Sequence, residues 1–284
     1  MRSALVAGFY ALVAGLTALL LALPREAVAA DVPVDLELVL AVDVSRSMDA
    51  GEQRVQREGY INGIRHPDVV AAILSGPTGR IAVTYLEWAG PSSQQVVVPW
   101  TLVDGAAAAE AFARRIEPGL VLGRFGTSIS SSLVFSATQF DANGFAGARR
   151  VIDVSGDGPN NIGPPVIPAR DSVLARGITI NGLPIMLSRV IDAYGIGDLD
   201  AYYRDCVVGG AGAFTLAVTA ADQFEGAIRR KLIQEIALRA PAIAESRIVL
   251  AAGEDEFATS GTGTDCLIGE KRRGRAPLLT PYGR

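Results

Sequence analysis

Residues 36–47 read LELVLAVDVSRS, and this stretch decides how the chain begins its fold. Its first part, Leu36–Val42, is apolar apart from one glutamate, which is typical of a strand covered on both faces. The part that follows places Asp43, Ser45 and Ser47 at alternate positions of a chain that leaves this strand. Hard oxygen ligands spaced in this way suit a small divalent cation such as Mg²⁺.

Further along the chain, short β-rich runs alternate with helical stretches. This alternation predicts a three-layer α/β fold, in which helices cover both faces of a doubly wound, mostly parallel sheet. Only a short turn separates the second predicted strand from the third, so we expect an antiparallel hairpin that supplies one antiparallel edge strand. The predicted strands are Leu36–Val42, Ile81–Trp88, Gln94–Trp100, Arg150–Ser155, Ile178–Leu183 and Ala213–Val218. The predicted helices are Glu52–Arg65, a short helix from His66 to Leu74, Ala106–Ile116, Ser128–Phe140, Val166–Ala175, Leu199–Cys206 and Gln223–Leu238.

The composition is that of a globular protein with a full hydrophobic core. The chain has 284 residues, of which 49% are hydrophobic and 20% are charged. A net charge of −4 gives no electrostatic footprint for nucleic acid. The basic cluster Lys271–Arg275 is therefore expected to lie in a solvated tail rather than in a nucleic-acid site.

The first 30 residues have the layout of a secretory signal peptide. Arg2 precedes an apolar run, Ala4–Leu23, and the small residues Ala27–Ala30 resemble a cleavage site. The alternative is an uncleaved membrane anchor, because the run approaches the roughly 20 residues needed to span a bilayer. We favour cleavage and expect a periplasmic or secreted protein that meets the membrane only through this segment. The expected division is a signal peptide over 1–30, one domain over 31–245 and a partly disordered extension over 246–284.

Both cysteines lie in the part of the chain that would be exported. Cys206 and Cys266 are 60 residues apart, and an oxidising compartment permits a disulfide between them. Such a bridge would stabilise the fold by about 4 kcal/mol in the chain-entropy treatment. The alternative is two unpaired buried thiols. Metal binding through cysteine is disfavoured, because no C-x-x-C spacing is present and the chain has only 1 histidine.

Chemistry-bearing residues follow several of the predicted strands at one edge of the sheet. Ligands of open α/β sheets bind outside the carboxyl ends of the strands, where the loops converge. Taken singly, each such residue could be a helix cap or part of a turn, since Asp and Ser are favoured there. Taken together, they predict one cation site formed by Asp43, Ser45, Ser47, Thr127 and Asp157. The neighbouring Asn160 and Asn161 either line its rim or hydrogen-bond within their own loop.

The five residues, in this order and after these elements, resemble the metal-ion-dependent adhesion site of von Willebrand factor A domains. Over about residues 34–240 the chain also resembles a bacterial exported subgroup, domain of unknown function family 1194. The stretches that carry this second resemblance are DVSRSMD (43–49), YLEW (85–88), VPWT (98–101), VIDVSGDG (151–158) and INGLPI (180–185). That subgroup has no established activity, so the resemblance implies a fold and a site only.

The resemblance to adhesion sites implies a role for each residue. Ser45 and Ser47 would bind Mg²⁺ or Mn²⁺ directly, Thr127 would bind directly or through water, and Asp43 and Asp157 would act mostly through water. Neutral hydroxyls leave the charge of the cation under-compensated, so an open position would attract an Asp or Glu of a protein partner. We therefore expect an exported, divalent-cation-dependent protein-binding module.

Two other function classes stay open. A cation with an open position could polarise a carbonyl group or activate water, as in a metal-dependent hydrolase of unknown substrate. Catalysis also needs a positioned general base, and His66, the only histidine, is expected to cap a helix or lie on the surface. The chain contains neither a Gly-x-Ser-x-Gly elbow nor a Gly-x-x-x-x-Gly-Lys phosphate loop, so we expect no enzyme. The second alternative is a structural module whose metal site is not functional.

Overall fold

The computed structural model describes residues 30–116, 124–187, 196–237 and 263–275. The predicted signal segment and most of the predicted C-terminal extension lie outside these ranges. The chain divides into two compact units, residues 1–31 and 32–284, and every strand and helix given below belongs to the second. Within the described ranges, no helix has the length and apolar character needed to cross a bilayer.

A five-stranded sheet forms the centre of the fold. Five of the seven strands in the described residues belong to it. The seven strands are β1 (Val32–Val34), β2 (Leu36–Asp43), β3 (Ile81–Trp88), β4 (Gln94–Val103), β5 (Phe145–Gly147), β6 (Arg150–Gly156) and β7 (Thr179–Pro184). The sheet has the order β4-β3-β2-β6-β7, while β1 pairs with β5 separately. Among the strand pairs of this sheet in the described residues, β3 and β4 alone are antiparallel, and β4 lies at the edge, which confirms the predicted mostly parallel sheet with one antiparallel edge strand.

Helices cover both faces of this sheet. They are α1 (Ala50–Arg65), α2 (Pro67–Leu74), α3 (Ala106–Ile116), α4 (Ile129–Thr138), α5 (Val166–Leu174), α6 (Leu199–Tyr202), α7 (Phe224–Ala237) and α8 (Ile268–Arg275). One hydrophobic cluster joins the sheet to α1, α2, α3 and α7, and a second joins it to α4, α5 and α6. The three predicted layers are therefore present.

Strand β2 is buried along its whole length because it packs on both layers. Leu38 and Leu40 belong to the cluster on one face, whereas Val39 and Ala41 belong to the cluster on the other. Even Glu37 is buried, and its carboxylate accepts hydrogen bonds from the Asn143 side chain and the Gly147 N–H. The last residue of the strand, Asp43, therefore lies at the carboxyl ends of the parallel strands and is held there by a fully packed core.

Three predicted segments differ from the structure. The strand predicted over Ala213–Val218 is only partly formed: the segment runs parallel to β7 and exchanges backbone hydrogen bonds with Gly182 and Pro184, but it forms no continuous strand, and the Phe214 N–H donates to the Asn181 side chain. The helix predicted over Leu199–Cys206 ends at Tyr202 and continues as a π turn, Tyr203–Val207. The basic cluster predicted to lie in a solvated tail belongs instead to helix α8.

Candidate metal centre

Two neighbouring parallel strands bring the candidate site together. Val42 in β2 lies opposite Ser155 in β6, so the carboxyl ends of the two strands meet at the same edge. Asp43 is the last residue of β2, and Asp157 directly follows β6. The register of the sheet therefore places two carboxylates, 114 positions apart in the chain by their numbering, side by side.

Asp43 is completely buried and holds the start of the loop that follows it. Its Oδ1 accepts a hydrogen bond from the Ser45 N–H at 2.7 Å, and its backbone carbonyl accepts one from Gln56 Nε2 at 2.9 Å. Within the described part of the chain, its Oδ2 has no hydrogen-bond partner. A buried carboxylate oxygen without a partner is costly, which is an arrangement that a bound cation or its water would relieve.

Three further oxygen atoms continue from Asp43 toward the surface. Ser45 Oγ and Ser47 Oγ are 2.8 Å apart, and Ser47 Oγ donates to Asp157 Oδ1 at 2.7 Å. Adjacent ligands of an octahedral Mg²⁺, each about 2.1 Å from the ion, lie about 3 Å apart. The observed separations are close to that value, so these oxygen atoms fit neighbouring positions around a small cation.

Thr127 reaches the same edge through backbone contacts. The Arg46 N–H donates to the Arg124 carbonyl at 2.9 Å, which fixes the start of the Thr127 loop beside the serine loop. Asn161 then brackets Thr127: its Oδ1 accepts from the Thr127 N–H at 3.0 Å, and its own N–H donates to the Thr127 carbonyl at 2.9 Å. The contacts that place Thr127 therefore run through its peptide groups.

The electrostatics of the centre favour a positive charge. Burial raises the pKa of Asp43 well above its usual value, and the nearby charge of Asp157 raises it further, against the hydrogen bonds from Ser45. Burial likewise raises the pKa of Tyr203, with contributions from Asp43 and Asp157. The hydroxyl of Tyr203 is buried and has no hydrogen-bond partner among the described residues. A buried carboxylate beside a second, partly exposed one is a place where a divalent cation would relieve the repulsion between the two.

Several supporting residues were missed from sequence. Gln53 Nε2 donates to the carbonyls of Ser45 (3.0 Å) and Met48 (3.2 Å), and Gln56 holds Asp43 as described above. The two glutamines are three residues apart on α1, hence on one face, and this spacing directly after the serine motif was the available signal. Tyr203 carried no such signal, because only the tertiary structure brings it to the site.

The first asparagine after Asp157 hydrogen-bonds to the start of α4 and within its own loop. Asn160 Oδ1 accepts from the Ser130 N–H at 3.0 Å, and Asn160 Nδ2 donates to the Pro164 carbonyl at 3.0 Å.

His66 caps α2, since its Nδ1 accepts from the Asp68 N–H at 3.2 Å, as the sequence suggested. Over the described ranges, no group of three or more His, Cys, Asp or Glu side chains is placed to hold a metal. A cation at this centre would therefore depend on the serine and threonine hydroxyls.

Comparison with known proteins gives a family and a fold. The family model described as "Protein of unknown function (DUF1194)" matches residues 33–240. No curated protein sequence matches the chain.

Solved structures with a similar fold include a pilus adhesin and a byssus matrix protein. The pilus adhesin SpaC from Lactobacillus rhamnosus GG superposes with a TM-score of 0.54 at 16% identity, over 72% of this chain and 30% of the adhesin. Proximal thread matrix protein 1 from the mussel byssus, in a structure with a zinc-occupied MIDAS motif, gives a TM-score of 0.53 at 14% identity, over 74% of this chain and 49% of that protein. The chain thus spans half or less of the length of each, and the likeness establishes the fold alone.

Proposed function

This chain belongs to the DUF1194 family of proteins of unknown function, and we propose that it is an exported protein-binding module that depends on a divalent cation. The observation that carries the proposal is the set of oxygen atoms Ser45 Oγ, Ser47 Oγ and Asp157 Oδ1, whose successive distances of 2.8 and 2.7 Å are near those of octahedral ligands. Buried Asp43 lies beside this set, since its Oδ1 accepts a hydrogen bond from the Ser45 N–H. The proposal is supported by the fold, which is von Willebrand factor A-like.

Each residue has a part in this proposal. Ser45 and Ser47 would hold Mg²⁺ or Mn²⁺ through their hydroxyls, and Thr127 would bind directly or through water. Asp43 and Asp157 would orient the hydroxyls and the water molecules around the ion. When bound, the cation supplies a positive charge with an open position for a carboxylate.

The partner that fits such a centre offers an exposed Asp or Glu. The direct ligands would be neutral hydroxyls, so a carboxylate from outside completes the charge balance and forms a charge-assisted bond of defined direction. The similar structures include a pilus adhesin and a thread matrix protein, which supports binding rather than catalysis for this chain. A hydrolase would need a general base, and His66 is engaged as the cap of α2.

Export of the protein is part of the proposal. The basic start, apolar run and small residues over 1–30 support a signal peptide, which leaves a domain over 31–245 and an extension over 246–284. The Cys206–Cys266 disulfide is consistent with an oxidising compartment such as the periplasm or the exterior of the cell.

Calorimetric titration of Mn²⁺ and Mg²⁺ into the mature protein tests the metal site. We expect Ser47→Ala to weaken binding at least about tenfold with little change in the apo-protein Tm, because Ser47 is exposed and contributes a ligand rather than packing. The matched control is Ser75→Ala, which removes an exposed hydroxyl at the end of α2 and should bind as the wild type does. Flat traces for the wild-type protein, or equal affinities for both variants, would contradict the proposal.

Partner capture tests the second half of the proposal. We expect the wild-type protein to recover its partner from the native envelope fraction in Mn²⁺ and to lose it in a chelator, whereas Ser47→Ala recovers little in either buffer. Recovery that ignores both the chelator and the substitution would refute binding bridged by a metal ion.

A further inference from the structure

A segment outside the family-matched region packs against the loops of the candidate site. Residues 264–275, here called the C-terminal strap, contain α8 and follow the stretch 33–240 that the family model matches. The strap is attached covalently, because Cys266 forms a disulfide with Cys206 in the π turn after α6. The Thr264 hydroxyl also donates to the carboxylate of Asp205 in that turn.

The strap holds the loop that follows Asp157. Glu270 Oε1 accepts a hydrogen bond from Asn160 Nδ2 at 2.7 Å, and Asn160 is fully buried. Gly269 makes the approach of the helix possible: a Cβ atom added there would lie 2.1 Å from the Asn160 carbonyl oxygen. The helix therefore packs directly on the backbone of this loop, three residues beyond a proposed metal-site carboxylate.

The strap also reaches the loop that carries Thr127. Arg273 Nη1 donates to Asn161 Oδ1 at 3.3 Å, and this oxygen is the one that accepts from the Thr127 N–H. The Arg273 guanidinium lies over the ring of Phe125, 4.6 Å from its centroid. One helix thus contacts both loops that bring the later ligands, Thr127 and Asp157, to the site.

We propose that the C-terminal strap is a positioning element of the candidate metal centre, in which Arg273 and Glu270 act through Asn161 and Asn160. This inference rests on the proposed metal function. Ligands on loops bind a cation well only when neighbouring contacts hold them in place, and loss of such contacts typically costs 10–100-fold in metal affinity. The disulfide keeps the strap at its docking position, so reduction weakens metal binding without touching any ligand.

Two glycines of α8 provide a matched pair of variants. Gly269→Ala and Gly274→Ala make the same substitution in one helix, yet an added Cβ meets the Asn160 carbonyl at position 269 and, among the described residues, nothing within 4 Å at position 274. In the mature full-length protein, we expect Gly269→Ala to bind Mn²⁺ about tenfold more weakly and Gly274→Ala to bind as the wild type does. Arg273→Ala should resemble Gly269→Ala, and Arg273→Lys should recover part of the affinity because it keeps a cationic donor.

Hydrogen exchange of the metal-free protein separates this inference from the metal function. Gly269→Ala and the double variant Cys206→Ser, Cys266→Ser should speed exchange over 124–128 and 157–161 while β2 and β3 stay protected. Unchanged exchange in these loops, or wild-type Mn²⁺ affinity in both variants, overturns the positioning role. A wild-type protein that binds no Mn²⁺ overturns the proposed function, and exchange then still decides whether the strap holds the loops.

Discussion

Gly156, the last residue of β6, lies close to buried oxygen atoms of Asp43 and Tyr203. A Cβ added to Gly156 would lie 2.8 Å from Tyr203 Oη and 2.9 Å from Asp43 Oδ2. The absence of a side chain there lets the two strand ends approach each other. By contrast, Gly158 follows Asp157 in the same loop, and a Cβ added there would meet no atom of the described residues within 4 Å.

The first prediction compares these two glycines. Gly156→Ala should destabilise the protein by about 1–3 kcal/mol through overpacking and should weaken Mn²⁺ binding, because the added methyl displaces Asp43 or Tyr203. Gly158→Ala should leave both quantities nearly unchanged. Urea unfolding and calorimetric titration of the two variants provide the check, and equal behaviour of the pair would refute the close approach at position 156.

Among the contacts between secondary-structure elements, the close packing of α1 on α7 depends on glycine. Gly59 and Gly63 lie on the buried face of α1, and a Cβ on either would come within 2.9 Å of the Ile228 side chain of α7. The glycines bring the two helices close together. The same helix α1 carries Gln53 and Gln56 to the serine loop, so its packing on α7 also supports the site.

We predict that Gly59→Leu lowers the free energy of unfolding by about 1–3 kcal/mol, since a large side chain would push α7 away. The control is Gly226→Ala on α7, where an added Cβ meets, among the described residues, only the flexible guanidinium of Arg230 at 3.4 Å. That change should be neutral or should stabilise the helix by about 0.5–1 kcal/mol. Thermal and urea unfolding measure both, and a Gly59→Leu variant as stable as the wild type would contradict the close packing.

At the scale of the whole molecule, a buried charged cluster joins the sheet to α7. Lys231 Nζ lies 2.8 Å from Asp153 Oδ1 on β6 and also pairs with Glu235 one turn along α7. Asn181 Nδ2 on β7 donates to Glu235 Oε1 at 3.0 Å. The ammonium group of Lys231 thus faces two carboxylates in the core. One proton bound to either carboxylate brings the net charge of the three groups to zero.

Burial and the charge of Glu235 raise the pKa of Asp153 to about 7, against the opposing charge of Lys231. Tyr60 of α1 also faces this group, and burial together with Asp153 raises the pKa of its hydroxyl. The usual pKa of an unfolded Asp is about 3.9, so between about pH 4 and 7 the folded protein holds a proton that the unfolded chain has lost. The contribution of Asp153 to stability therefore falls as the pH rises through this window and is constant above it.

Asp153→Asn should remove this dependence, because the amide imitates the neutral acid at every pH. We expect the wild-type protein to lose stability relative to the variant between about pH 4 and 7, with a constant difference at higher pH. The readout is the urea midpoint of both proteins across pH 4–9. Parallel curves over the whole range would show that Asp153 does not carry the proton.

The sequence by itself determined most of the elements and the character of the sheet, which is mostly parallel with one antiparallel edge strand. Continuous apolar runs such as Leu36–Val42 require burial on both faces, and their alternation with amphipathic stretches leaves few topologies other than a mostly parallel sheet. Sequence also indicated the candidate residues Asp43, Ser45, Ser47, Thr127 and Asp157, since polar residues at strand ends lie at one edge. The local sequence pattern was a weaker guide at Ala213–Val218, because the Asn181 side chain of β7 accepts the hydrogen bond of the Phe214 N–H.

Only the tertiary structure decided which groups surround those residues. Helix α8, with Gly, Lys and Arg residues and no continuous apolar face, has no sequence signal for packing, yet the disulfide and the Gly269 contact hold it against Asn160. Tyr203 reaches Asp43 only because β6 has a glycine at position 156, and Asp153 meets Lys231 only because α7 crosses the sheet there. These contacts join residues far apart in the chain, and their geometry depends on packing, which periodicity does not encode.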